Sequence, residues 1–211
     1  DNLNTKDKAN TWEIRRRIGM VFQNPDNQIV ASVVEKDVAF GLENLGIPSK
    51  EIRKRVDEAL DVVGLSNFRN MEPHYLSGGQ KQRLAIAGIL AMHPECIILD
   101  EPTSMLDPKG KREVLDLLVK LNTKFGITII FITQDMEEVL LSRRTIGILD
   151  GRIIFNGTPR EIFNDLEILD LLSLSLTKVG EIVYYLRQQG INIPYHILKR
   201  EELVEFLCKL N

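Results

Sequence analysis

Apolar residues along the chain occur either in short continuous runs or in longer stretches with helical spacing. The continuous runs cover residues 18–22, 96–99 and 127–132. Runs of this length, bounded by polar residues, are typical of buried strands, and the run 96–99 is as expected for a central parallel strand that is covered on both faces. Because helical spacing fills the segments between them, the pattern predicts an α/β fold with a parallel sheet and three buried strands.

The helical stretches carry signals for where helices begin and end. Helical spacing is clearest in four places: residues 35–45, 49–63, 81–92 and the segment after Asp107-Pro108. Ser49 is expected to be the N-cap of the second helix, and Gly64 its end. Proline at position 108 suits the first residue of the fourth helix, because that position needs no backbone N–H.

The last part of the chain shows a different pattern. Asp150-Gly151 separates two short apolar segments and predicts a hairpin turn. From about Asp165 onward the spacing is helical and strand signals vanish. We therefore predict a first domain over residues 1–164 and a small, mostly helical C-terminal domain over residues 165–211.

The composition is that of a soluble globular protein, since 44% of the 211 residues are apolar and 27% are charged. The formal net charge of −3 provides no basic field that would attract nucleic acid. No apolar run approaches the roughly 20 residues that a membrane-spanning helix needs. The two cysteines, Cys96 in a predicted core strand and Cys208 near the end, indicate no disulfide framework, which fits a reducing compartment.

The strongest single motif is Ser77-Gly78-Gly79-Gln80, which opens a helical stretch. Two glycines at the start of a helix let backbone N–H groups approach a phosphate closely, and the helix dipole favours the negative charge of that phosphate. The Ser77 hydroxyl adds a further donor. Taken alone, the motif is also compatible with a simple glycine-containing N-cap.

Two carboxylates, Asp100 and Glu101, follow the second apolar run. This places them at the carboxyl end of a buried strand, where open α/β sheets bind ligands. Asp100 is suited to hold Mg²⁺, directly or through water. Glu101 is suited to orient and polarise an attacking water. A strand that merely ends in solvated acids would show the same pattern. The order and spacing of both motifs are therefore needed to distinguish a ligand site from such a strand end.

Considered together, the motifs resemble the nucleotide-binding subunits of ABC transporters over residues 17–158. The correspondence follows the family order. Phe22-Gln23 resembles the Q-loop, and residues 76–80 resemble the LSGGQ signature. Residues 96–101 resemble Walker B with its catalytic glutamate, residues 104–107 resemble the D-loop, and Gln134 stands at the switch or H-loop position. A narrower similarity, to the energy-coupling factor (ECF) and cobalt-type importer ATPases, is carried by residues 21–28 (VFQNPDNQ), 190–194 and 201–204.

The resemblance implies a P-loop NTPase-like parallel sheet core with an inserted ABC helical subdomain at about residues 29–90, and it implies ATP and Mg²⁺ as cofactors. The residues implied to serve the ATP bound on this chain are Gln23, Asp100, Glu101 and Gln134, of which Glu101 and Gln134 are catalytic and Asp100 and Gln23 face Mg²⁺. The residues implied to contact the ATP bound on the partner are Ser77, Gly78, Gly79 and Gln80. Asp107 is also implied to bind nucleotide.

By the same resemblance, the chain energises uptake of a vitamin or a cobalt or nickel ion by an ECF-type importer, from the cytoplasmic face of the cell membrane. The implied partners are a second, non-identical ATPase subunit, a transmembrane coupling subunit that docks on residues 23–77, and a separate membrane subunit that binds the solute. No nucleic acid is implied. The tail after about Asp165 either pairs the two ATPase subunits, which we predict, or packs against its own domain.

Two features depart from the family. No G-x-x-x-x-G-K-[ST] motif, the P-loop or Walker A, occurs in the chain. The family places this motif upstream of the Q-loop, so we expect truncation rather than gene degeneration, and an inactive chain without it. Gln134 stands where the family has histidine. Glutamine can donate a hydrogen bond but carries no charge, and none of His74, His93 and His196 stands where it could substitute.

Two other functions fit part of the pattern. A soluble ABC ATPase that acts on DNA would carry a long heptad coiled coil between Q-loop and signature, and one that acts on ribosomes would carry two cassettes; the chain shows neither. A catalytically inactive remnant that serves only as a dimerising module would share the motifs found. An in-frame P-loop directly upstream of codon 1 would distinguish an ATPase from that remnant.

Overall fold

The computed structural model describes residues 3–194 and 197–209. The chain divides into two compact units, one up to Ile132 and one from Thr133. The predicted domain boundary near Asp165 falls within the second unit and stays a prediction. No described helix is long and apolar enough to cross a membrane.

The first unit is built on a three-stranded sheet. Its strands are β1 (Ile18–Val21), β2 (Cys96–Asp100) and β3 (Thr128–Ile132). All pairs are parallel and β2 lies in the centre, which confirms the predicted parallel α/β sheet. Because Val21, Leu99 and Phe131 lie side by side in register, the segments that follow β1 and β2 leave the sheet at the same edge.

The two faces of this sheet differ in burial. Ile97 and Leu99 of β2 are fully buried beneath the helices, whereas Met20 is 42% exposed and Ile130 is 49% exposed on the opposite face. The prediction that β2 is covered on both faces was therefore wrong, since Ile98 is only half-buried. The strands β1 and β3, predicted as buried, are exposed on the same face, because the described helices of this unit cover the other face. Cys96, predicted as a core residue, is half-buried on the open face, and this burial raises the pKa of its thiol.

The helices of the first unit are α1 (Thr11–Arg17), α2 (Val34–Asn44), α3 (Ser49–Val62), α4 (Gly78–Leu90) and α5 (Pro108–Phe125). The prediction of Ser49 as an N-cap was wrong. Pro48 has the extended backbone of the N-cap and Ser49 is the first helical residue, without a side-chain cap. Gly64 follows the end of α3 with φ of +72°, a left-handed conformation that glycine adopts without steric cost.

The second unit contains a hairpin surrounded by short helices. It consists of α6 (Met136–Val139), β4 (Thr145–Leu149), β5 (Arg152–Gly157), α7 (Pro159–Phe163), α8 (Leu166–Leu171), α9 (Lys178–Gln188) and α10 (Arg200–Cys208). Asp150 and Gly151 have φ of 48° and 74°, as the tight turn between antiparallel strands requires. The hairpin prediction is confirmed, and so is the helical character of the chain after Asp165.

Candidate functional site

Glu101 occupies a tightly held position directly after β2. Its φ is +42°, a conformation that costs free energy in a residue with a side chain and that is common at functional sites. Its backbone N–H donates to the carbonyl of Ile132 at 3.0 Å, and its own carbonyl accepts a hydrogen bond from Ser104 Oγ at 2.9 Å. The surrounding backbone therefore fixes where the Glu101 carboxylate lies.

The Q-loop glutamine reaches this carboxylate. Gln23 Nε2 donates to Glu101 Oε2 at 2.8 Å and to Ser104 Oγ at 3.2 Å. The structure thus brings together two predicted site residues that are far apart in the chain. Ser104, which bridges them, belongs to the D-loop segment, but its side chain had no predicted role. Its position three residues before Asp107 was the signal that could have found it.

Asp100 is the last residue of β2 and is half-buried. Its carboxylate and the amide oxygen of Gln23 are oxygen donors of the kind that Mg²⁺ prefers, so the donor set fits the predicted metal. The described residues contain no cluster of three or more His, Cys, Asp or Glu side chains that could hold a metal ion. The fit is thus that of a site with few protein ligands, as is usual when phosphates and water supply the rest.

The signature residues form the start of α4. Ser77 is the N-cap, and its Oγ accepts from the backbone N–H of Gln80 at 3.4 Å, while Gln80 Oε1 accepts from the N–H of Ser77 at 2.8 Å. This reciprocal capping box means that the N-cap interpretation is correct as local structure. It leaves the N–H groups of Gly78 and Gly79 at the positive end of a 13-residue helix.

A cavity of about 560 Å³ lies where α4 and α5 begin. Asp107 caps α5 by accepting from the N–H of Gly110 at 3.1 Å, so two helix N-termini open into one cavity and favour an anionic ligand there. The cavity lining also includes the cationic side chains Arg83 and Lys109 and the carboxylate of Glu113, which forms ion pairs with both. It contains all five predicted nucleotide contacts of this region: Ser77, Gly78, Gly79, Gln80 and Asp107.

Gln134, the remaining predicted residue, lies in the second unit in the exposed segment that precedes α6. Its neighbours are well fixed. Thr133 Oγ1 donates to the buried carboxylate of Glu138 at 2.6 Å and accepts from the N–H of Asp135 at 2.9 Å. Glu138 was missed because an acid in an amphipathic helix looks like a surface residue in the sequence.

The chain as a whole is similar to known proteins. A family profile described as ABC transporter matches residues 1–104. The energy-coupling factor transporter ATP-binding protein EcfA1 of Caldanaerobacter subterraneus subsp. tengcongensis is 56% identical over 208 residues, covering 99% of this chain and 75% of that protein. EcfA1 of Clostridium perfringens is 54% identical over 210 residues, covering 100% of this chain and 75% of that protein.

Solved structures agree with these relatives. CbiO1 from Clostridium perfringens, described as part of the ABC transporter complex cbiONQ, has a TM-score of 0.72 and 41% identity, covering 84% of this chain and 71% of that chain. A dimeric ATP-binding cassette in a post-hydrolysis state, bound to ADP and Pi, has a TM-score of 0.65 and 36% identity, covering 75% and 71%. The chain is an ATPase and belongs to the ATP-binding subunits of energy-coupling factor ABC transporters.

Proposed function

We propose that the chain couples ATP hydrolysis to the uptake of a vitamin or of a cobalt or nickel ion by an ECF-type importer. The observation that carries the proposal is the position of Glu101, held in a left-handed conformation and contacted by the Q-loop Gln23 at the carboxyl edge of the sheet. A general base must be fixed within reach of the water that it activates, and this network fixes Glu101 in that way.

The proposed roles of the residues follow from their chemistry. Glu101 accepts a proton from the attacking water, and Gln23 and Ser104 orient its carboxylate. Asp100 and the amide oxygen of Gln23 would hold Mg²⁺, which when bound neutralises phosphate charge. Gln134 would donate a hydrogen bond to the terminal phosphate, since an amide N–H is a donor without charge.

The signature residues Ser77, Gly78, Gly79 and Gln80 would contact the ATP bound on a second ATPase subunit. Two features support this assignment: the cavity that receives two helix N-termini and the dimeric state of the related cassette with ADP and Pi. The second subunit is proposed to be non-identical. With the two subunits head to tail, each composite site would combine residues from both chains.

The tail after Asp165 is proposed to contribute to this pairing. Leu203 is buried in a small core of its own unit, with Phe206 packed against it, so these two side chains serve local packing. Val204 is 52% exposed and Leu207 is 38% exposed, and they form an apolar strip on the same helix. The amphipathic pattern of the tail in the sequence also includes Leu210, which lies outside the described residues.

A transmembrane coupling subunit is proposed to dock on residues 23–77. This contact would place the chain at the cytoplasmic face of the membrane. A separate membrane subunit would bind the solute. The support is a set of exposed apolar side chains in that segment: Val30, Phe40, Met71 and Tyr75. Their apolar surface is of the kind that protein partners cover. CbiO1, which shares this fold, is described as part of a multi-subunit complex.

Uptake by the complete complex in vesicles tests the proposal. The full-length protein, the second ATPase and the membrane subunits are reconstituted in vesicles. Accumulation of labelled vitamins, Co²⁺ and Ni²⁺ is then measured with ATP added to the assay and with ATP omitted. We expect ATP-dependent accumulation of one solute, its loss in Glu101→Gln, and its retention in Glu95→Gln, an exposed glutamate directly before β2 and outside the proposed docking segment. ATP-independent accumulation, or none, would contradict the proposal.

A further inference from the structure

Gln82 is a fully buried amide on α4, two residues after the signature. Its Nε2 donates a long hydrogen bond of 3.4 Å to the backbone carbonyl of Phe22. Its Oε1 has no hydrogen-bond partner within residues 3–194 and 197–209. A buried, unpartnered amide oxygen destabilises a fold relative to an apolar side chain of similar size. Fold stability alone therefore does not account for glutamine at this position.

The carbonyl that Gln82 contacts belongs to the peptide bond that leads into Gln23. The N–H of Phe22 is held as well, since it donates to Gln28 Oε1 at 3.2 Å. Side-chain amides thus hold both polar groups of Phe22, and Gln23 extends from that point to the Glu101 carboxylate. One hydrogen bond thus links α4 to Phe22, the peptide bond links Phe22 to Gln23, and a second hydrogen bond links Gln23 to Glu101.

A second contact joins the same two segments. Lys81, the neighbour of Gln82, forms an ion pair with Asp26 in which Nζ and Oδ1 are 2.7 Å apart. The Lys81 side chain is 19% exposed and the Asp26 side chain is 60% exposed, so solvent screens the pair on the Asp26 side and its contribution is mainly geometric. Asp26 lies in the turn Pro25–Asn27 beyond Gln23. Adjacent residues of α4 therefore hold the Q-loop on both sides of Gln23.

We propose that Gln82 is a positioning residue that couples the two ATP sites of the ATPase pair. The inference rests on the proposed function, in which the start of α4 contacts the partner's nucleotide and Gln23 serves the nucleotide on this chain. Engagement of the signature would shift α4, and Gln82 would pass that shift to the Phe22 carbonyl and so to Gln23 and Glu101. Because such coupling is reciprocal for binding, occupancy of either site raises the affinity of the other.

Gln82→Leu in the complete transporter complex tests this coupling. Leucine fills a similar volume and removes both the hydrogen bond and the unpartnered oxygen, so the thermal midpoint should not fall. We expect the ATP dependence of hydrolysis to change from sigmoidal to hyperbolic, and the second ATP to bind about 5-fold more weakly than in wild type, at the lower end of typical couplings between sites. Without nucleotide, hydrogen exchange of the amides in residues 22–28 should become several-fold faster.

Asn122→Leu is the matched control. Asn122 Nδ2 also donates from a helix to a backbone carbonyl, that of Ile127 at 3.0 Å, but before β3 and away from the Q-loop. The Asn122→Leu variant should leave the cooperativity of ATP hydrolysis unchanged. If Gln82→Leu does not fold, Gln82→Met gives the same comparison. Wild-type cooperativity in the Gln82 variant, or hyperbolic kinetics in an active wild type, would overturn this inference alone, whereas an inactive wild-type complex would overturn the proposed function with it.

Discussion

Gly79 allows the start of α4 to lie against the start of α5. A Cβ at this position would lie 2.9 Å from the Cα of Gly110. The Cβ is fixed by the backbone of residue 79 and the Gly110 Cα is a backbone atom, so neither can rotate away, and Gly79→Ala must push the two helix starts apart. Overpacking of this kind costs about 1–3 kcal/mol. The better helix propensity of alanine returns about 0.5–1 kcal/mol, so we expect Gly79→Ala to be less stable than wild type by about 1 kcal/mol, the middle of the resulting range of about 0–2.5 kcal/mol.

Thermal unfolding without nucleotide measures this effect, and two neighbouring glycines provide controls. The expected loss of about 1 kcal/mol lowers the melting temperature by about 2–4 °C for a chain of this size. Gly78→Ala places its Cβ 3.4 Å from Leu106 Cδ2, an ordinary contact, and Gly88→Ala meets only the Asp37 carbonyl at 4.0 Å. These two variants should be as stable as wild type or more stable. A Gly79→Ala protein as stable as Gly78→Ala would refute the close-approach argument.

Three further predictions concern the remaining parts of the chain. Gln134→His in the full-length complex should raise ATP turnover up to about ten-fold, because a charged hydrogen bond is stronger than a neutral one; no change or a fall would mean that glutamine already positions the phosphate. Backbone and hydroxyl donors of Thr158 hold the pKa of Glu161 below its ordinary value of 4.5. The stabilisation from Glu161 is therefore complete above pH 4.5 and lost as the pH falls through the lowered pKa; a stability difference from Glu161→Gln that persists well below that pH would contradict this. Val204→Asp should lower the mass of the ATPase pair in light scattering, since Val204 is 52% exposed; an unchanged pair would favour local packing of the tail.

The order of strands and helices could be predicted because each has a local signal. The apolar run before Asp100 and the proline at position 108 mark their elements directly. Whether one face or both faces of the sheet are buried could not be predicted, since the same run of apolar residues suits a strand covered on one face or on two. Met20 and Ile130 are exposed because of the layer arrangement, which no local pattern records.

The candidate site could likewise be predicted from the sequence only in part. Gln23 and Glu101 could be predicted as site residues from motif and order, but their direct hydrogen bond depends on the parallel register of β1 and β2. Gln82 and Glu138 were not found because polar residues in helical segments look like surface positions in a sequence. Their roles depend on burial, at 0% and 3% exposure, which only the packed structure reveals.

The central claim is that Glu101 activates the water that attacks ATP. The measurement that tests it most directly is ATP turnover by Glu101→Gln in the full-length complex, together with ATP binding by calorimetry and Glu95→Gln as control. Glutamine preserves the shape and the contact with Gln23 but cannot accept the proton. We predict a loss of about 10²–10⁴-fold in turnover with ATP binding retained. A variant that keeps half of the wild-type turnover would contradict the account.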